Sequence, residues 1–560
     1  MPIELDANLL GPTSPSSKSQ FKTDVYFKGL SSNDGISGFE TLLLDTFDIT
    51  ADENVTDNNL DMCVEIERID DENQKCSFLL EFLKQEFGNR HYNIPFFDMN
   101  LNRFPSQKLL GGLKDSEVVY LDYYRTCVSQ TISILPEESN FFLSLYLPLA
   151  ENNKSILYAL IGWAGVFLND ESNQHIPLDY IKKSIVLSEQ ELLGKQSSKN
   201  DKLAIFSLYT ILCAVLICAG DVKEWYKYFK TLHKFLLEQS KGDLKEIKNC
   251  MGDFKETKWL VSNFLYHDVL ASMSHIEGTC FTMNEYCQIL DITMSSDQEP
   301  IEDFKFPDTQ SKSDKVHGSI GTTVPGNFFE QTYDNEKGHA VIDNDLVCDP
   351  LQGCVRPVFL LIGEITNTFV KLRRAEKRLK ELEDAFKYEE FLKARNKVYS
   401  QLEKKYERLQ MQLKNTKPHA RSLCYLKNDK DLEYHLTLFE AFRLSALIYL
   451  KTLVKKIPPA SPEIQILVVE LLLCISIIIG SKVQASLCFP LLVAGMSCIS
   501  KCDRSFIEEK VSQMSNCFPV KNFQRILVII KHTWKINKDG LNCVYWFEIS
   551  TKFGWDLSLA

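Results

Sequence analysis

A few places in this 560-residue sequence carry residue types at a spacing that chemistry could use. Cys498 and Cys502 stand four apart, a spacing that two thiolates of a tetrahedral zinc site can adopt. No second cysteine pair or histidine knuckle lies near them, and no C-x-x-C occurs anywhere, so a zinc site is not expected. His267 adjoins Asp268 in Tyr266-His267-Asp268, and a histidine beside a carboxylate can relay a proton. On an apolar helix such a pair is more often a satisfied buried hydrogen bond, and that reading is preferred. Gly318-Ser-Ile-Gly321 has no strand before it and no G-K-[ST] after it, so it makes no phosphate loop. The run Lys371-Leu-Arg-Arg-Ala-Glu-Lys-Arg-Leu-Lys380 could touch nucleic acid, but Glu381, Glu383 and Asp384 follow it, which suits a solvated helix face. H-E-x-x-H and G-x-S-x-G are missing, and the ten histidines are scattered singly. The expectation is therefore no catalytic residue, no metal ligand, no assignable cofactor and no enzyme.

The elements that would carry these residues read as helices. From Val119 on, Tyr120, Tyr123, Tyr124, Cys127 and Thr131 recur at three- and four-residue steps. The same period marks Asn140–Ala150, Ser155–Phe167, Leu203–Cys218, Trp225–Leu237, Lys258–Met273, Val358–Val370, His435–Leu453, Ile464–Ile479, Gln484–Cys498, Arg504–Met514 and Asn522–Trp534. Turn signals fall at Pro148, Gly220-Asp221, Gly363, Pro458-Pro459 and Gly480. Period-two alternation is scarce, so little sheet is expected. The pattern predicts an all-α fold, stacked helix pairs forming one large helical domain over 118–555.

Within it, 364–414 reads as a charged long helix or helical hairpin. Leu372, Ala375, Leu379, Leu382 and Phe386, then Phe391, Arg395, Val398, Leu402, Tyr406, Leu409 and Leu413, would form a narrow seam. A dimerising coiled coil would use it, but the unbroken heptads are too few, so packing inside its own domain is preferred.

Two stretches differ from the rest. Between Asp34 and Glu72 there are thirteen acidic residues and one basic residue, Arg68, so 1–75 is expected to be a largely disordered acidic segment. Inside it Phe39-Glu-Thr-Leu-Leu-Leu-Asp-Thr-Phe-Asp48 interleaves bulky apolar groups with acids, the composition of activation segments that dock as short helices on coactivators. Residues 76–117 read as a linker with local helix, and 291–350 as a mobile surface insertion.

The net charge of −12 argues against unaided binding to DNA, which needs clustered cations. Several of the 17 cysteines, such as Cys213, Cys218, Cys474 and Cys488, sit in apolar runs and read as reduced, buried hydrophobes of a cytosolic or nuclear protein. Met1–Lys18 shows no signal-peptide pattern. Leu203–Gly220 and Leu471–Gly480 are uncharged, yet both are expected as buried core helices rather than membrane spans.

Several motifs stand in one order along the chain. They are Tyr123-Tyr124, Leu135-Pro136-Glu-Glu-Ser-Asn140, Phe141-Phe142-Leu-Ser-Leu-Tyr146, Leu147-Pro148-Leu149-Ala150 and Ile156 through Gly162-Trp163-Ala164. Then come Cys218-Ala-Gly220-Asp221-Val222-Lys-Glu-Trp225, Trp259 through Phe264-Leu265-Tyr266-His267-Asp268, Glu440-Ala441-Phe442-Arg443 with Ala446-Leu447-Ile448-Tyr449-Leu450, Leu487-Cys488-Phe489-Pro490-Leu491, and Asn522-Phe523 with Trp534. In that order they resemble the fungal-specific transcription factor domain found behind zinc binuclear clusters. The resemblance implies an all-α regulatory domain that senses a metabolite and often supports dimers. The six-cysteine zinc cluster of that family does not occur in this sequence, and Cys63 and Cys76 cannot build one. Either the cluster has been lost and the chain acts through a DNA-binding partner, or the chain starts downstream of one.

Read from the residues alone, Trp163, Trp225 and Trp259 are core anchors, Pro148 and Pro490 end or bend helices, and Asn140 and Asp221 suit helix caps. The expectation is a nuclear transcriptional regulator of metabolic genes. Its expected partners are other regulators or coactivators, indirect DNA, a small-metabolite effector and a homo- or heterodimer mate, with no membrane. The alternative is a helical scaffold or adaptor with no role at promoters.

Overall fold

The structure, a computed structural model, describes residues 112–290 and 349–560 apart from 136–138, 169–174, 192–197, 245, 250, 253–254, 276, 425, 427 and 518–519. The acidic segment 1–75, the motif Phe39–Asp48, Cys63, Cys76, most of the linker 76–117 and Gly318–Gly321 lie outside the described residues. All described residues belong to one compact unit, and none of them forms a strand.

Helix α1, Asp115–Tyr123, runs through a π-helical turn at Tyr124–Val128 into Ser129–Ile132. Asn140 caps the next short helix by accepting from Phe142 N at 3.0 Å, and its Nδ2 donates to Ser129 O at 2.9 Å. That clasp places Phe142 edge-on to Trp259, ring centres 5.2 Å apart, with Trp163 and Tyr146 beside them. Trp163, Trp225 and Trp259 are all buried.

Helix α2, Lys154–Leu168, pairs with α3, His175–Glu191, and with α4, Lys199–Cys218. Pro177 of α3 fills the space where a side chain at Gly165 would sit. The pairing continues with α5, Glu224–Gln239, against α4, then α6, Lys255–Ser272, and α7, Met283–Ile289. Asp221 accepts from Trp225 N at 3.0 Å at the start of α5.

Helices α8, Arg356–Asp384, and α9, Tyr388–Asn415, form a hairpin. Leu372, Ala375 and Leu379 are buried with Ala394, Val398, Leu402, Tyr406, Leu409 and Leu413, so the seam closes inside the chain. Two expected seam residues are not in it: Phe386 is 77% exposed at the turn with φ 56°, and Arg395 is exposed. Phe386 belongs to the turn itself, and inside α9 it is Ala394, not Arg395, that faces the seam.

The last set is α10, Asp429–Leu453, α11, Pro462–Ile478, α12, Cys488–Ser497, α13, Lys501–Cys517, α14, Asn522–Ile536, and α15, Trp546–Phe553. α10 packs against α11 and α12, and α14 against α12 and α13.

Several local expectations are corrected. Gly363 is no turn; it sits inside α8, where Met283 occupies the space a side chain would need. Pro148 and Pro490 stand in the first turns of their helices, where a missing N–H costs nothing. Asp349 and Pro350, placed in the surface insertion, are buried. The domain does not stop at 555: Leu557 and Leu559 are 1% exposed, and Asn522 Nδ2 donates to Ser558 O at 3.0 Å and Ala560 O at 2.7 Å. α4 has the length and apolarity to cross a membrane, but most of its residues are buried within the fold. The segment Leu471–Gly480 is only half a core element, because Leu473 and Ile477 face outward.

Candidate functional site

The residues singled out for chemistry do not converge. His267 and Asp268 are successive positions of α6, so their side chains diverge around the helix. Asp268 turns to the loop after α6 and accepts from Cys280 N at 2.9 Å and from Tyr286 Oη at 2.7 Å. Burial lifts its pKa to about 6. His267 is buried, its Nδ1 has no partner, and burial lowers its pKa to about 4. Cys498 is buried while Cys502 is exposed, both as free thiols. Among the described residues no three His, Cys, Asp or Glu side chains gather closely enough to hold a metal ion. In the basic run, Arg373 pairs with Glu548 at 3.1 Å and lies over the rings of Phe369 and Phe547, while Leu372, Ala375 and Leu379 serve the hairpin seam.

One polar cluster escaped the sequence reading. Ser262 Oγ of α6 donates to the Asp349 carboxylate, and Gln352 Nε2 donates to Ser262 O at 2.8 Å. Asp349 Oδ1 also accepts from Leu351 N at 2.8 Å, an Asx turn that a sequence signal of Asp before a tight bend could have flagged. The cluster is buried and has no histidine base, so its chemistry is that of a clasp holding the start of α8 against α6.

The open space lies elsewhere, on either side of Tyr449. One cavity of about 20 Å³ is bounded by His275, Thr366, Arg373, Tyr449 and Phe547. A second, of about 30 Å³, is bounded by Tyr449, Met496, Asn537, Cys543, Tyr545 and Trp546. Each has room for one or two water molecules. α10 supplies Tyr449, whose hydroxyl lies 3.2 Å from Thr366 Oγ1 of α8. The opening turn of α15 supplies Trp546, stacked on Tyr449 with ring centres 5.1 Å apart.

Polar atoms border these cavities without protein partners. Trp546 Nε1 is a buried donor with none, and His275 Nε2 is a buried ring nitrogen with none. His275 lies flat on Tyr226 at 3.9 Å, and burial, with Lys230 second, lowers its pKa to about 4. The wall is thus aromatic, with neutral polar groups and the Arg373 guanidinium at its edge, and it joins α8, α10 and α15. As it stands the wall leaves room for water-sized guests only, and Asp556 Oδ1 lies 3.7 Å from His275 Nδ1 beside it.

Residues 119–560 match the family described as fungal specific transcription factor domain. The chain is 25% identical over 480 residues to an uncharacterized transcriptional regulatory protein of Schizosaccharomyces pombe, covering 85% of this chain and 77% of that one. It is 28% identical over 451 residues to the transcriptional activator protein UGA3 of Saccharomyces cerevisiae, covering 75% of this chain and 74% of that one. No solved structure matches.

Proposed function

We propose a regulatory function that starts from one fact: this chain belongs to the fungal specific transcription factor domain family, whose match covers residues 119–560. The chain is a transcriptional regulator, and its helical domain is the part that receives a signal. The observation that carries this reading is the extent of the match, which takes in the whole helical stack from α1 to the buried C-terminal tail.

In this reading the protein works in the nucleus on metabolic genes and, like the activator it is similar to, raises their transcription. It reaches DNA through a DNA-binding partner or through a zinc cluster outside 119–560. The acidic stretch Asp34–Glu72 contacts coactivators. A small effector acts at the Tyr449 cavities, where entry parts α15 from α10 and so couples binding to the arrangement of the C-terminal helices.

The test is a reporter fusion to a foreign DNA-binding domain. Residues 1–75 alone and the full chain are each expected to change reporter output, the full chain in a manner that depends on nutrient conditions. Unchanged output from both contradicts the proposal.

A further inference from the structure

At the turn of the α8–α9 hairpin, residues 383–390 are all exposed. The turn closes α8 with a Schellman motif: Phe386 N donates to Glu383 O at 3.0 Å, and Lys387 N to Leu382 O at 3.1 Å. The motif holds Phe386 in the left-handed region, where glycine is the usual residue and a bulky side chain is strained. Phe386 also gives its ring to water, with the ring of Tyr388 edge-on at 6.2 Å. Glycine would serve the fold better on both counts, so neither backbone nor packing accounts for a phenylalanine here.

The residues that follow give it a use. Phe386-Lys387-Tyr388-Glu389 sets a large apolar side chain directly before a lysine and a carboxylate two places after it. Lysine amines accept ubiquitin-like proteins. This arrangement holds such an amine at a conjugating enzyme's thioester: the apolar side chain fills a greasy contact, and the carboxylate meets cations of the enzyme.

We propose that Lys387 is a conjugation site for a small ubiquitin-like modifier, recognised through Phe386 and Glu389 at the tip of the hairpin.

In the step, Lys387 Nζ attacks, as the free amine, the thioester carbonyl that joins the modifier's C-terminal glycine to the conjugating enzyme's cysteine. A C–N isopeptide bond forms, the C–S bond breaks, and the proton shed by the amine balances the departing thiolate. The thioester is the co-reactant, made beforehand with ATP by the modifier's own enzymes, and nothing is oxidised or reduced.

Access and geometry agree. Lys387 precedes α9 with φ −90° and ψ 59°, outside helical geometry. Its ammonium lies 3.5 Å from Glu390, and Glu389 lies 2.6 Å from Lys393, both exposed pairs that a partner displaces easily. The first N–H groups of a helix have no intrahelical acceptor, so the opening turn of α9 can fray and present the four residues extended. Exposure alone does not select the site. The Lys393 side chain is 76% exposed against 51% for Lys387, but it stands in Leu392-Lys393-Ala-Arg395, without the acid. The same pattern occurs at 21–24, 83–86 and 426–429, which lie wholly or partly outside the described residues.

The experiment incubates the purified full chain with a small ubiquitin-like modifier, its activating and conjugating enzymes and ATP. Peptide mass spectrometry maps the adduct, a readout independent of any promoter role. An adduct at Lys387 is expected in the parent chain, with Lys393 unmodified. Lys387→Arg is expected to remove it. Phe386→Gly and Glu389→Ala are each expected to slow its formation roughly tenfold. Phe386→Gly is also expected to raise the melting temperature, because glycine relieves the left-handed backbone, so its slower conjugation cannot come from unfolding. A parent chain with no adduct at Lys387 overturns the proposal, whichever other lysines react. An adduct whose rate survives Phe386→Gly or Glu389→Ala overturns it too, since the amine is then taken for its exposure alone.

Discussion

The indole N–H of Trp225 donates to the main-chain carbonyl of Asp556 at 2.6 Å, joining positions 331 residues apart. Asp556 N donates in turn to Val222 O at 2.7 Å, so the C-terminal tail is stitched to the turn before α5. Leu557 and Leu559 then sink into the core behind it.

Trp225→Phe keeps most of the apolar volume but removes this donor and orphans a carbonyl. It is expected to cost roughly 2 kcal/mol, and Leu557→Ala roughly 3 kcal/mol, both read as a lower melting temperature in calorimetry. Melting of both variants at the parent temperature would show that the tail adds nothing.

Stability is expected to fall in acid. His267 is neutral in the fold, with a pKa near 4 against about 6.5 when unfolded. Below pH 6.5 the unfolded chain therefore binds the extra proton, and stability declines as pH drops from about 6.5 towards 4. The full effect is roughly 3 kcal/mol for this one residue. Asp268, raised to about 6, works in the opposite sense, its contribution falling as pH rises from about 4 to 6. His267→Leu is expected to flatten the acid-side decline in urea titrations run from pH 7 to 4, and Asp268→Asn to steepen it.

Trp546→Phe keeps the stack on Tyr449 and deletes a donor that no protein atom uses. Such a deletion is expected to change stability by less than about 1 kcal/mol, because no bond within the protein is lost. If an effector binds at the Tyr449 cavities through this N–H, as proposed above, the nutrient response of the reporter is expected to weaken nonetheless. An unaltered response would remove Trp546 from the regulatory site.

Among the described cysteines, Cys424 and Cys502 are exposed, while burial pushes the Cys354 and Cys488 thiols up to about 12. Alkylation of the folded chain with iodoacetamide at neutral pH is therefore expected to modify Cys424 and Cys502 and to spare Cys354 and Cys488, as peptide mass mapping would read. Modification of Cys488 before unfolding would contradict the packing of α12.

Much of the fold could be read from the sequence because its helices bury large apolar faces at the helical period. The runs at 155–167, 203–218 and 435–453 all became helices. Helix α3 was missed because its buried face includes Ser184 and Ser188, which show no apolar period although they pack against α2. Phe386 was misplaced because a period cannot foresee the turn that ends it. The cavities could not be foreseen either, since Tyr449 and Trp546 meet only after α15 folds back over α10. The ordered motifs, by contrast, pointed to the family because Asn140, Trp163, Asp221, Trp225 and Trp259 are the caps and anchors of this particular stack.

Chromatin immunoprecipitation of the full chain in its native cells tests the regulator assignment most directly. Enrichment at a defined set of promoters is expected, changing with nutrient supply. Uniform absence from promoters under every condition would contradict the account and leave a helical scaffold in its place.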